Sequence, residues 1–203
     1  MSSRELEIAA ALATVESQIA AAAAKAGRDR SEITLIAVTK TYPASDVEIL
    51  RNLGVQNFGE NRNEEGVAKS AQVSGTWHFQ GQVQSRKLRD IAGWASFIHS
   101  LDSAEHVEKL SRIATELGRE ISIFLQLSLD GAPDRGGVIK SELAALADSV
   151  ANLPQIKLVG LMCVPPVEYE HERAFSEIAE IHQGFLGNFP AATFLSAGMS
   201  SDY

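Results

Sequence analysis

A chain of 203 residues, 45% hydrophobic and 22% charged, has the composition of one globular domain able to bury a core. Its 26 acidic and 18 basic residues leave a net charge of −8, which argues against a polyanion-binding surface, because nucleic-acid contacts rely on clustered Lys and Arg. The one cysteine, Cys163, cannot make an internal disulfide and fits a reducing compartment. Arg4, Glu5 and Glu7 stand where a signal peptide would have a basic and then an apolar segment. No apolar stretch is expected to span a bilayer, so a cytoplasmic protein without membrane or nucleic-acid partners is expected.

Ser2 with Glu5 predicts a capping box, and Ile8, Leu12, Val15, Ile19 and Ala22 continue it as a helix that stops at Gly27. A strand follows at about 33–39, then a helix from Ser45 to Leu53 with Ser45/Glu48 as its cap. A second strand is read at Val55–Phe58 and a polar helix from about Asn61. Trp77–Gln80 is a third strand, followed by a basic helix from about Gln84, and Phe97–His99 a fourth. Asp102/Glu105 then caps a helix with Val107, Leu110, Ala114 and Leu117 on its apolar face. Ile121–Leu127 is a fifth strand, followed by a glycine-containing loop and a helix carrying Leu143, Leu146, Val150 and Leu153. Ile156–Cys163 is a sixth. A helix with Phe175, Ile178, His182 and Phe185 leads to a seventh strand, Ala192–Ser196.

Strands and helices alternating in units of about thirty residues imply parallel pairing through right-handed crossovers in one α/β domain. A (β/α)₈ barrel and an open doubly wound sheet both fit, and seven strands are one short of a closed barrel.

Lys40 ends the run Leu35-Ile36-Ala37-Val38-Thr39, and period-two alternation puts Ile36, Val38 and Lys40 on one face. An amine held against apolar neighbours loses hydration, its pKa falls and it becomes a nucleophile towards aldehydes, which is how proteins hold pyridoxal phosphate. The same placement suits a lysine snorkelling into solvent, and the residue alone does not decide. Other polar residues also sit on or just after strands: Glu60, Asn61, His78, Gln80, Ser100, Asp102, Gln126, Ser128 and Ser196. Of these, Asp102 is already accounted for by helix capping.

Ser196-Ala197-Gly198-Met199-Ser200-Ser201 follows the seventh strand, where barrels commonly hold phosphate on glycine, serine hydroxyls and a helix N-terminus; a flexible terminus fits equally well. Gly131–Gly137 lacks dinucleotide or P-loop spacing, and no Gly-x-Ser-x-Gly elbow is present. His78, His99, His106, His171 and His182 form no metal-ligand spacing with Cys163, so no metal site is expected. Trp77, Trp94 and Cys163 read as core, and Arg86, Lys87 and Arg89 as a solvated helix face.

Taken in order, six segments carry a resemblance. They are Ala37-Val38-Thr39-Lys40-Thr41, Phe58-Gly59-Glu60-Asn61, Trp77-His78-Phe79-Gln80-Gly81 with Gln84-Ser85-Arg86-Lys87, His99-Ser100-Leu101-Asp102, Gly160-Leu161-Met162, and Leu195 to Asp202. From about Ile33 to Tyr203 the chain closely resembles the pyridoxal phosphate homeostasis protein family (YggS/PROSC type). The resemblance implies a TIM (β/α)₈-type α/β barrel like the alanine racemase N-terminal domain, spanning 1–203 as a single domain. It implies pyridoxal 5′-phosphate as an aldimine on Lys40, with Ser200 and the backbone from Gly198 through Met199 to Ser201 on the phosphate. Asn61, His78, Met162 and Ser196 would line the ring pocket.

The resemblance implies a monomer that buffers or carries the cofactor for PLP-dependent apo-enzymes and is not an enzyme with robust turnover. The alternative is a weak amino-acid racemase-like enzyme. Relatives continue through a further helix and an Arg-Ile-Gly-Thr/Ser strand that would be the eighth, so this chain is C-terminally short relative to the family. An open barrel with weakened cofactor affinity is expected if the polypeptide stops at Tyr203. Tyr42 and Arg135 stand where many relatives have lysine, and Arg86 where asparagine is usual.

Overall fold

The computed structural model describes residues 2–132 and 135–198. After α1 (Ser3–Lys25), seven strands alternate with helices. In order they are β1 (Ala37–Val38), α2 (Ala44–Asn52), β2 (Asn57–Glu60), α3 (Asn63–Ser70), β3 (Thr76–Phe79), α4 (Leu88–Trp94) and β4 (Phe97–Leu101). Then come α5 (Ala104–Leu117), β5 (Ile121–Leu127), α6 (Lys140–Val150), β6 (Ile156–Cys163), α7 (His171–Leu186) and β7 (Phe194–Ala197).

Every strand is parallel to its neighbours, and the sheet runs β1 to β7 in sequence order. That order decides between the two candidate architectures. A doubly wound sheet reverses its strand order at a switch point, whereas a barrel adds each strand beside the last. The fold is an incomplete (β/α) barrel with seven strands among the described residues. β1 and β7 do not pair with each other there, and Phe194 on β7 is 56% exposed.

The main core lies between sheet and helices. α5 contributes Val107, Leu110, Ile113 and Ala114, and α6 contributes Leu143, Leu146 and Val150, each at helical spacing. Leu117, expected on the α5 core face, is exposed beside the Gly118 cap. Pairing register moves two strands from their expected spans. β2 begins at Asn57 because Asn57–Glu60 pair with Thr76–Phe79, while Val55 is buried just before it. β7 likewise begins at Phe194, opposite Gly160. β1 is shorter than expected, although Thr39 N–H still reaches the Gly59 carbonyl at 2.9 Å.

Two caps differ from expectation. α2 starts at Ala44 after Pro43, so Ser45 is already helical and no side chain caps the end. α5 starts after Ser103, and Asp102 instead accepts the Gly137 N–H at 2.9 Å, tying the β4 end to the β5–α6 loop. The Ser2/Glu5 capping box forms as expected. α1 also corrects the membrane reasoning: its 23 residues are long and apolar enough to cross a bilayer by length and composition. Ion pairs from Arg4 to Asp46 and from Arg30 to Glu16 tie this alanine-rich helix to the domain.

Candidate functional site

Alternation sends one set of strand side chains towards the helices and the other into the barrel. Phe58, Trp77 and Phe79 take the helix side, where Trp77 and Trp94 meet edge to face, as core tryptophans should. The inner side is polar at its centre. Asn57, His78, His99 and Ser196, from β2, β3, β4 and β7, form one hydrogen-bonded chain across the barrel. His78 Nε2 meets Asn57 Oδ1 at 3.0 Å, His78 Nδ1 meets His99 Nε2 at 2.9 Å, and His99 Nδ1 meets Ser196 Oγ at 2.8 Å.

The chain has a direction. A carboxamide oxygen only accepts, so His78 Nε2 carries the hydrogen and His78 Nδ1 must accept from His99 Nε2. His99 Nδ1 is then an acceptor, and Ser196 donates to it, leaving the serine lone pairs free. Each imidazole also stacks on a phenyl ring, His78 on Phe97 at 4.6 Å and His99 on Phe124 at 4.2 Å between centroids. Burial disfavours the charged form of both rings, holding His78 at about 4 and, with its neighbour's added repulsion, His99 at about 3. Both are neutral at pH 7.

Met162, the register partner of Ser196, packs with Phe124 and Val159 on the inner face. The structure thus brings His78, Met162 and Ser196 onto one inner wall. Asn61 lies just past β2, its Oδ1 buried and without a hydrogen-bond partner among the described residues. Its carbonyl lies against Gly81, where an added Cβ would sit 2.0 Å from the oxygen. Gly198, after β7, takes φ +123. Met199, Ser200 and Ser201 lie outside the described residues.

Lys40 lies two residues past β1, on the Val38 side by alternation, and is exposed. The expectation of a lysine dehydrated by apolar neighbours is therefore not met in this structure. The physical reason is its position on the edge strand, where Val38 itself is exposed and β7 does not close over it.

Beside Lys40 lies a cluster of which sequence reasoning singled out Glu60 but missed Lys69 and Glu65. Lys69, on α3, has a side chain only 7% exposed and reaches Glu60 Oε1 at 2.6 Å, Glu65 Oε2 at 2.9 Å and the Thr39 carbonyl at 2.7 Å. Thr39 Oγ1 donates to the same Glu60 oxygen at 2.6 Å, and the Thr41 N–H donates to Glu65 at 2.8 Å. The ion pair with Lys69, then the Thr41 amide, hold the Glu65 carboxyl below its ordinary value. Thr41 takes φ +71, a left-handed conformation that costs a β-branched residue roughly 1–2 kcal/mol. Lys40, Asn61 and Gly198 all follow the carboxyl ends of strands, the face on which barrels carry chemistry.

A family profile described as alanine racemase, N-terminal domain, matches residues 11–203. The "Pyridoxal phosphate homeostasis protein" of Corynebacterium glutamicum is 40% identical over 86% of this chain and 83% of its own length. That of Mycobacterium leprae is 39% identical over 98% of this chain and 86% of its own. The chain belongs to the pyridoxal phosphate homeostasis protein family. One solved structure similar to it is PipY of Synechococcus elongatus with PLP bound, at 33% identity, with a TM-score of 0.82 and coverage of 96% of this chain and 90% of that one. Alanine racemase of Clostridium difficile, at 15% identity and a TM-score of 0.69, shares the fold alone, this chain covering 48% of it. In this homeostasis-protein chain the polar relay runs inside the barrel from Asn57, the first residue of β2, and the cluster around Lys69 lies behind Lys40 at the strand-end face.

Proposed function

We propose that this protein binds pyridoxal 5′-phosphate and buffers or delivers it, with Lys40 as the residue that carries it. The observation that carries the proposal is that Lys40, Asn61 and Gly198 follow the carboxyl ends of strands, with a His78–His99–Ser196 wall inside the barrel, in a chain of this family. The bound group supplies an aldehyde for a lysine amine and an electron-withdrawing ring. The residues fit such a group. Lys40 offers an accessible amine, and Asn61 Oδ1 is a buried acceptor awaiting a donor. Met162 and the stacked rings give an apolar wall, and Gly198 immediately precedes Met199, Ser200 and Ser201, which we assign to the phosphate.

Holding, more than turnover, suits the inner wall. Racemisation needs a base on each face of a carbanion. His78 and His99 hydrogen-bond each other, are kept neutral by burial and are weak bases at about 4 and about 3. We further assign the protein to the cytoplasm as a monomer serving PLP-dependent apo-enzymes; the charge of −8 and the single cysteine, Cys163, support this reading. Burial pushes the Cys163 thiol up to about 12, which suits a small core side chain and no redox task.

The test is trapping. Protein incubated with pyridoxal phosphate and then borohydride is expected to lose its visible absorbance band and to carry a pyridoxyl phosphate group (the cofactor less water plus two hydrogens) on the Lys40 peptide. Lys40→Ala is expected to show neither change. Label on another lysine, or none on the wild type, would sink the proposal. A second expectation concerns Asn61. In Gly81→Ala the new methyl must displace the Asn61 backbone, an overpacking that costs about 1–3 kcal/mol. Affinity for pyridoxal phosphate, measured by fluorescence titration, is expected to fall about tenfold or more, at 1.4 kcal/mol per decade.

A further inference from the structure

Lys40 is carried by a peptide whose two neighbours are both held from α3. Lys69 Nζ donates to the Thr39 carbonyl on one side, and Glu65 accepts the Thr41 N–H on the other. Lys69 also bonds Glu65 and Glu60, so the two grips form one connected unit with Lys69 and Glu60 buried at its centre. Apolar residues of similar volume often stabilise an interior as well as a buried ion cluster does. The cluster achieves something apolar packing would not: it fixes a peptide at both ends, including Thr41 in a conformation that β-branched residues avoid.

We propose that Lys69, acting through Thr39 and Glu65, is the positioning residue for Lys40 and sets the direction of its amine at the barrel mouth. This rests on the reading that Lys40 carries pyridoxal phosphate. In that reaction the neutral Lys40 amine, its extra proton lost to solvent, adds to the aldehyde carbon. A C=N bond then replaces C=O and the oxygen leaves as water, with no change of oxidation state. Lys69 touches none of these atoms. Its contribution is the alignment of an amine at the end of a flexible stem, where misplacement of about 1 Å can cost as much as a hundredfold in rate.

Two variants test the brace. Glu65→Gln weakens the hold on Thr41 at a partly exposed position. Lys69→Met with Glu60→Gln removes the buried charges together, leaving no lone ion in the interior. In the cofactor-free protein, exchange of the Thr41 amide, read by NMR, is expected to accelerate about tenfold, as for a bond whose charged acceptor is made neutral or loses its own ion-pair partner. Borohydride-trapped uptake of pyridoxal phosphate on Lys40 should slow about tenfold to a hundredfold. Methylation of Lys40 by formaldehyde and cyanoborohydride, which needs no alignment, should match the wild type.

A Thr41 amide that exchanges as in the wild type overturns the proposal. So does wild-type uptake of pyridoxal phosphate once that amide has been released. A wild type that takes up no pyridoxal phosphate on Lys40 sinks the cofactor reading instead, and accelerated Thr41 exchange in the variants would still support the brace. Should the double variant not fold, Glu65→Gln decides the outcome alone.

Discussion

Acid is expected to destabilise this protein from pH 6.5 downward, well before its carboxylates titrate. His78 and His99 are buried, neutral and hydrogen-bonded to each other, at about 4 and about 3 in the folded protein against an ordinary 6.5. The unfolded chain therefore binds protons below pH 6.5 that the folded chain refuses. The stability that neutrality confers is complete above pH 6.5 and is lost as pH falls towards the folded values. Each ring contributes a slope of about 1.4 kcal/mol per pH unit. With two rings the loss between pH 6.5 and 5 reaches about 3 kcal/mol, a large share of the roughly 5–15 kcal/mol that holds an ordinary domain.

The carboxyls of Asp29, Glu64, Glu65 and Asp130 lie below their ordinary values, so their contribution is lost at lower pH. Urea unfolding midpoints at half-unit steps would show the histidine slope. His99→Phe, which keeps an aromatic ring over Phe124, should remove one of the two protons from it. A flat profile between pH 6.5 and 5, or an unchanged slope in the variant, would refute the account.

The barrel was legible because its signals are local. Alternating strand and helix patterns, glycine stops and period-two faces gave seven units in the right order. The same alternation puts Lys40 on the side of Val38, which the structure leaves exposed. Whether it is dehydrated or snorkels into solvent was left open, because burial depends on what a non-neighbouring strand covers, and β7 leaves β1 open. Strand limits slipped by two residues where register, not composition, sets them, as at Asn57.

The inner network was harder to see. Ser196 and His99 are 97 residues apart and meet only because the barrel curves β7 towards β4. A signal was nevertheless present: His99 falls at an alternate position to the outward Ile98 on a strand between Phe97 and Leu101. Lys69 left none that hydrophobic periodicity can detect. α3 buries Asn63, Gly66 and Lys69, a helical stripe of polar and small residues, whereas the search is for apolar ones. Only the contacts show that this stripe faces inward, with Asn63 accepting the Trp94 N–H at 3.1 Å and Lys69 joining Glu60.

Gly160→Ala is expected to be among the most damaging conservative changes in the chain. Gly160 pairs with Phe194 at the start of the β6–β7 ladder, and a Cβ there would sit 1.8 Å from the Phe194 carbonyl oxygen and 2.6 Å from its carbon. Backbone cannot turn aside as a side-chain tip can, so β7 must shift or unpair. Overpacking of this kind costs about 1–3 kcal/mol and more when a ladder is lost, a fall of roughly 2–4 °C in Tm per kcal/mol for a domain of this size. The damage should extend beyond stability. β7 carries Ser196, whose hydroxyl ends the relay at His99, so displacement admits water to that ring and its pKa should rise from about 3 towards the ordinary value.

Gly184→Ala is the control. It lies within α7, no atom lies within 4 Å of its added Cβ, and alanine should stabilise the helix by up to about 1 kcal/mol. Thermal unfolding, with NMR titration of His99, measures both effects. If Gly160→Ala melts with the wild type while His99 titrates unchanged, then β7 does not rest on β6 as described. If only the melting temperature falls, the ladder matters for stability while Ser196 does not hold the inner wall together. A combined loss, absent from Gly184→Ala, would tie the packing of one glycine to the protonation of a ring two strands away.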